Sequence, residues 1–455
     1  MASCRKMRKL RWLLLATMSA AFLNPFSGSS INIALPVIGK TFHEPIQHVN
    51  WVATSFLLTS AIFLLTAGKL ADFFSQKKVF VLGLIFFSIF TLLCGLSQNL
   101  TQLIIFRIFQ GIGSSFLFAT SVSILSHVAP PEIRGKVLGY NSAAIYLGLL
   151  LGPTLGGILI HWVHWRSIFF FPFVISLFAL FMAICFIPTF PPQEGKKKIN
   201  VWENLYYWIS LATLIYAMSI ASSPIGVYLL LLAIALLISF VILEYKIKNP
   251  LLDVHLFSSN ALFAFSNLAA LVNYATTFAI DLLLSYYLQK IKNFSADYTG
   301  YILMVQPLMM VIFSPIFGRL SDMISPGKIA SGGMLLIAIG LLFLYFIKVT
   351  TPLWWIIVGL LLIGLGFSLF STPNTNAVMS SVPKSLYGRA AATLATMRVI
   401  GQMLSMGIVM LVFSLHHAST LPMGDDLFLL QAIKKGFLVF AILSLGGIFL
   451  SLKRI

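Results

Sequence analysis

Apolar residues fill this chain in blocks of about twenty, separated by short polar turns, and each block is long enough to carry a helix through a bilayer. The pattern predicts fourteen spans: 11–33, 49–69, 79–97, 102–125, 138–160, 166–187, 205–222, 226–244, 261–288, 298–318, 328–347, 353–376, 388–413 and 432–452. An even number returns both termini to one side. The polar turns are rich in Lys and Arg on that side only. Twenty-one basic residues fall in the tails and even-numbered turns, seven in the odd-numbered turns, and Arg107 and Arg398 lie inside spans. This bias predicts that both termini are cytoplasmic and that the protein sits in the cell membrane. The basic N-terminus before the first block reads as a cytoplasmic tail rather than a signal peptide, because the block is long and no cleavage site follows.

One block is unlike the others. Gly139 to Gly157 is apolar but holds five glycines and Pro153. Gly148, Gly152 and Gly156 recur every fourth residue, which places them in one groove on one helix face where another helix can come close. Pro153 removes a backbone donor, so a bend is expected there.

With 59% hydrophobic and 9% charged residues, the 455-residue chain is a polytopic membrane protein. The formal charge of +18 is spread over short turns and does not indicate nucleic acid. Three cysteines without regular spacing give neither a disulfide framework nor a metal site. No nucleotide loop or nucleophile motif is present, so no cofactor and no enzyme activity are expected, and transport must run on an ion gradient or downhill. A monomer is expected, with the lipid bilayer as a partner.

A short repeat divides the chain. Gly68-Lys69-Leu70-Ala71-Asp72 follows the second span and Gly318-Arg319-Leu320-Ser321-Asp322 follows the tenth. The expected organisation is an N-terminal six-helix half over 1–187, a cytoplasmic linker over 188–204, an extra two-helix hairpin over 205–244 and a C-terminal six-helix half over 245–455.

Of the twelve acidic residues, Asp281 alone sits well inside a span, where an ionisable side chain costs at least ~2.5 kcal/mol and is expected to face a cavity or a partner. Arg107 and Asp281 lie at similar depths, so a pair is expected in which Asp281 switches protonation and Arg107 biases it. Arg398 sits near the middle of its span, where pairing, capping of carbonyls and transport are all open. Phe26, Phe116, Tyr274, Tyr286 and Phe367 are candidates to line an apolar cavity.

These motifs resemble those of the fourteen-helix drug–proton antiporter family of the major facilitator superfamily. Gly139, Gly148, Gly152, Pro153, Gly156 and Gly157 match its fifth-helix antiporter motif. Gly68, Asp72, Lys77 and Lys78 match its gating loop between helices 2 and 3, with Gly318, Arg319 and Asp322 in the second copy. Phe73, Ser75 and Met323 depart from that loop pattern. Leu103, Arg107, Gln110, Gly111 and Gly113 match its fourth-helix motif. Trp165-Arg166, Pro250-Leu251-Leu252-Asp253, Pro373-Asn374 and Gly388-Arg389-Ala390 resemble fourteen-helix members in particular. No acid precedes Asn32-Ile33-Ala34-Leu35-Pro36, where such exporters often carry one. The resemblance implies an all-α major facilitator fold with two six-helix halves and two extra central helices. It also implies export of lipophilic, cationic drugs in exchange for protons by alternating access, with the fifth-helix glycines sealing the cavity, and so a small lipophilic substrate and protons as further partners. A metabolite, amino acid, lipid or siderophore exporter on the same fold is the alternative, and a transport-inactive sensor or scaffold is a rival of another class.

Overall fold

The computed structural model describes residues 2–128, 134–189, 200–247, 250–252, 254–383, 387–419 and 425–453. Among them there is no strand. The helices are α1 (Ala2–Phe42), α2 (Trp51–Phe73), α3 (Gln76–Leu96), α4 (Leu100–Val128), α5 (Arg134–Trp162), α6 (Ser167–Phe186), α7 (Val201–Ser219) and α8 (Pro224–Lys246). Then come α9, in two pieces (Ala261–Thr277 and Ile280–Tyr286), α10, also in two (Ala296–Leu303 and Val305–Met323), α11 (Pro326–Tyr345), α12 (Leu353–Ser380), α13 (Tyr387–Ser419) and α14 (Asp425–Leu452).

Among the described residues, twelve helices are long and apolar enough to cross a membrane, against the fourteen spans expected. The two that fall short carry the expected spans 11–33 and 205–222. The reason is their polar residues: Asn24, Ser27, Ser29, Ser30 and Asn32 on α1, and Glu203 and Asn204 on α7. Helix α1 is nonetheless well enclosed, with Leu23, Phe26, Ile33, Ala34 and Leu35 fully buried. A helix walled by other helices meets protein instead of lipid and needs no apolar surface, although Ser27 Oγ and Asn32 Oδ1 of α1 are buried without hydrogen-bond partners.

Side-chain contacts fix the helix directions. Gly148 meets Phe22 and Pro25 while Gly156 meets Ser30, so α1 and α5 run parallel. Gly401 meets Leu271 and Tyr274, and Ala279 N donates to Ser405 Oγ at 3.0 Å, so α9 and α13 do the same. Gly113 backs onto Phe87 of α3, and Gly333 of α11 backs onto Gly366 and Phe370 of α12; both pairs are antiparallel. The pairings within α1–α6 therefore recur within α9–α14. Among the described residues, hydrogen bonds and a close ion contact that join these two sets lie toward the end of α1 that carries Phe42, here called the far face; the opposite side is the tail face. Tyr286 donates to Asn50 Oδ1 at 3.0 Å and Gln289 Nε2 to Ile33 O at 3.0 Å. His161 Nδ1 lies 3.5 Å from Asp297 Oδ1.

The α7–α8 hairpin starts four residues earlier than expected. Asn200 caps α7 by accepting from Trp202 N and Glu203 N, which takes Glu203 and Asn204 out of the linker and into the helix. Ser223 caps α8 in the same way, with Pro224 at the first turn. Helix α7 joins both sets. Thr66 of α2 donates to Asn204 Oδ1 at 2.6 Å, and Ser414 Oγ of α13 donates to Ser222 Oγ at 3.0 Å.

Adjacent glycines on α11 test this packing. A Cβ on Gly333 would lie 2.6 Å from Gly366 O and 2.7 Å from Phe370 N, whereas one on Gly332 meets nothing within 4 Å. Gly333→Ala is expected to destabilise by roughly 1–3 kcal/mol, and Gly332→Ala to stabilise slightly, by about 0.5 kcal/mol. Thermal unfolding of the two purified variants in the same detergent checks this; equal midpoints contradict the packing.

Candidate functional site

Helix α9 breaks at Phe278–Ala279. Thr276 and Thr277 both donate to Asn273 O, at 3.0 and 2.7 Å. Such back-bonding competes with the helix ladder. The amide freed at Ala279 is taken by Ser405 of α13, so the break is satisfied inside the bundle. Asp281 falls in the first turn after it. Its Oδ1 is buried without a hydrogen-bond partner. Beyond it α9 widens into a π turn, Tyr287–Ile291.

Arg107 is not its partner. The guanidinium is fully buried and held within the first six helices. Nε donates to Val52 O of α2 at 2.9 Å and Nη1 to Gln110 Oε1 at 2.8 Å. Its Cζ stands 4.1 Å from the centroid of the Phe56 ring. Gln110 Nε2 donates in turn to Thr91 Oγ1 of α3 at 2.6 Å. Arg107 and Gln110 thus tie α2, α3 and α4 together, and no ion pair links Arg107 to Asp281. The expected pair fails because depth along two helices does not fix the direction in which their side chains point.

Arg398, on α13, sits in a different setting. Nη2 donates to Thr375 Oγ1 of α12 at 2.6 Å, and Cζ lies 5.7 Å from the Tyr274 ring of α9. Tyr274 meets Phe367 of α12 edge-on at 5.3 Å. Tyr146 of α5 reaches the same place, beside Ser371 and Ser314 and within the electrostatic range of Tyr274 and Arg398. Arg398 Nε is buried without a hydrogen-bond partner. Tyr146, Tyr274 and Arg398 each remain partly accessible midway along their helices. The cluster draws on both helix sets and offers one cation, two phenols and an aromatic wall. The other aromatic candidates go elsewhere. Phe26 is fully buried between Phe22 and Phe171, Phe116 packs on Gly83, and Tyr286 is bonded to Asn50. Tyr146 was not singled out in the sequence. Its signal was there: it lies two positions, roughly 200° around the helix, from Gly148.

The glycine groove of α5 holds α1. A Cβ on Gly148 would lie 2.7 Å from Phe22 O, one on Gly152 would overlap Ser29 Oγ, and one on Gly156 would lie 3.0 Å from Ser30 Cβ. These three glycines therefore pack within one helix set instead of closing a seam between the sets. The seam contact falls to their neighbours. Gly157 faces Ala296 and Asp297, and Pro153 O faces Gly300 of α10. Pro153 lies within an unbroken helix. Gly139 lies outside the described side chains.

In the loop motifs, Lys77 Nζ donates to Ile184 O at 3.0 Å and so caps the last turn of α6. Lys78 and Arg319 are exposed. A Cβ on Gly68 meets nothing within 4 Å, so no close helix contact requires a glycine there among the described residues, while one on Gly318 would lie 3.0 Å from Thr372 Cγ2. Asp72 and Asp322 lie outside the described side chains. No group of three or more His, Cys, Asp or Glu suited to a metal occurs among the described residues.

The family model described as Major Facilitator Superfamily matches residues 17–406 and 266–454. Riboflavin transporter RibZ of Clostridioides difficile (strain 630) is 32% identical over 391 residues, 86% of this chain and 85% of that protein. Multidrug resistance protein Stp of Mycobacterium tuberculosis (strain CDC 1551 / Oshkosh) is 27% identical, over 90% of this chain and 76% of that one. Multidrug transporter protein MdtP of Bacillus subtilis (strain 168) is 28% identical, over 89% and 75%. The structure superposes on the human organic anion transporter MFSD10 with a TM-score of 0.64 at 15% identity, over 98% of this chain and 99% of that one. On the peptide transporter POT in complex with sulfate the TM-score is 0.66 at 13% identity, over 96% and 94%. These two likenesses concern the fold alone. With a family model across most of its length and a relative above 30% identity, this all-helical membrane protein belongs to the major facilitator superfamily and is a transporter, not an enzyme.

Proposed function

We propose that this chain is a secondary exporter of flat aromatic compounds, which it binds between its first and last six helices and exchanges for protons by alternating access. The observation that carries the reading is Arg398, whose guanidinium stacks near Tyr274 with Nε buried and unpartnered. A cation in an aromatic recess favours a planar ring system with a hydrogen-bond-accepting or anionic edge. Riboflavin, named for one relative, is a ligand of that class. In this reading α1 and α7 cross the bilayer with the twelve apolar helices, and the basic bias of the turns places the tail face in the cytoplasm. The repeated pairings are two halves that rock about the midplane, and the far-face bonds shut the outer gate. Asp281, buried on one of its oxygens without a partner, is the proton carrier.

A second reading, antiport of lipophilic cations against protons, is favoured by the same Asp281 carboxylate and by the names of the Stp and MdtP relatives. Arg398→Gln separates the two. Loss of one charge-assisted bond of about 1.5–3 kcal/mol weakens riboflavin binding roughly ten- to hundredfold, while a lipophilic cation such as ethidium binds as before or better. Fluorescence titration of purified protein reads both. A parallel loss for the two ligands, or none for riboflavin, removes the aromatic-acceptor reading.

Asp281→Asn is expected to abolish ligand movement driven by a pH gradient in inside-out vesicles and to leave equilibrium binding within about threefold of wild type. Gradient-driven transport that survives the substitution assigns the proton to another group. Gly152→Leu, which drives a side chain into Ser29 of α1, is expected to cut transport at least tenfold at normal membrane abundance. Unchanged transport would mean that the α1–α5 contact does not have to stay tight during the cycle.

A further inference from the structure

The hairpin α7–α8 buries two carboxyl groups against one ammonium. Glu203, in the first turn of α7, is 7% exposed, and Glu244, in the last turn of α8, is fully buried. Glu203 Oε1 accepts from Lys69 Nζ of α2 at 3.3 Å and from Leu251 N at 2.7 Å. Glu244 Oε2 accepts from Leu252 N at 2.9 Å. Two consecutive amides thus hold the carboxyl groups side by side. Glu244 Oε1 is buried with no hydrogen-bond partner.

The charges do not balance as drawn. Two carboxylates give two negative charges, and Lys69 is the cation within ion-pair distance among the described residues. Among the described residues, the other titratable groups nearby are engaged elsewhere or exposed. Tyr207 of α7 donates to Ala61 O, and His255, on the short helix Val254–Ser259, stacks on Tyr245 of α8. Lys246 is exposed, and Asp253 and Lys248 lie outside the described residues. A metal cation suits the site badly, because backbone amides already point at both carboxyl groups. One proton shared between the two carboxyl groups supplies a donor for the orphaned oxygen and removes the repulsion between two buried like charges.

We propose that Glu203 and Glu244 form a one-proton site on the tail face, and that the proton it holds keeps the α7–α8 hairpin fastened to α2. The fastening also includes Thr66 donating to Asn204 Oδ1 and Trp208 Nε1 donating to Thr66 Oγ1. At its other end α7 is bonded to α13 through Ser222 and Ser414. The hairpin therefore bridges the two helix sets, and loss of the proton loosens one end of the bridge through repulsion between two buried like charges. This site is independent of Asp281 and of the ligand cluster.

Hydrogen exchange of the full-length protein in lipid nanodiscs tests the site. After correction for the intrinsic pH dependence of exchange, opening of residues 201–208 is expected to rise about tenfold per pH unit once the proton leaves. Glu244→Gln, which keeps the shape and cannot ionise, holds the segment closed over the same range. Lys69→Gln moves the opening to higher pH, because the proton no longer competes with an ammonium. Infrared spectra in an Asp281→Asn background give a second readout: the carbonyl band of a protonated carboxyl group is expected at neutral pH and is lost in both Glu203→Gln and Glu244→Gln. The proposal is overturned if wild-type opening does not change with pH, if Glu244→Gln keeps the wild-type slope, or if no such band is present.

Discussion

Where two helix backbones touch, one of them must lack a side chain. That constraint recurs wherever this protein brings helices closest. Gly113 faces Phe87 N, Gly333 faces Gly366 O, Gly401 faces Leu271 O, and Gly152 faces Ser29. In lipid there is little hydrophobic drive between helices, so close van der Waals packing supplies the cohesion. The contacts also set the register. Once α1 is seated on α5, Phe26 and Ile33 are buried and Gln289 can reach Ile33 O. The far-face bonds thus depend on a groove whose floor is a row of missing Cβ atoms.

Helix order and membrane character were legible in the sequence because they rest on the length and spacing of the apolar blocks. The glycine spacing of α5 was legible as a groove, but its partner was not. Period four identifies a face and says nothing of which neighbour fills it, so Gly148, Gly152 and Gly156 turned out to grip α1 while Gly157 took the contact with α10. The break in α9 was hidden in a continuous apolar run, since Thr276 and Thr277 loosen a helix only when a neighbour such as Ser405 accepts the freed amide. The start of α7 was better signalled than it was read. Asn200 followed three residues later by Glu203 is a capping pattern, but the charged stretch before it obscured the boundary.

Arg107 and Arg398 show how far a residue type underdetermines a role. Each is an arginine inside an apolar helix, and each stands near an aromatic ring. Arg107 is fully buried among α2, α3 and α4, and Gln110 and Val52 fix two of its nitrogens. Moving it would break three helices apart, so it belongs to the part of the fold that stays rigid. Arg398 has one side-chain bond, to Thr375, and remains partly accessible where residues of both helix sets converge. Its Nε is buried and unpartnered near the Tyr274 ring. In a low-dielectric interior such a group is costly when left unsatisfied. A ligand that brings acceptors to Arg398 and a flat face to Tyr274 would recover that cost, whereas no ligand could displace the bonds of Arg107 without loosening the scaffold. Both arginines keep one buried nitrogen without a partner, Nη2 of Arg107 and Nε of Arg398, so the difference between scaffold and candidate site lies in access: only Arg398 is partly accessible where the two helix sets converge.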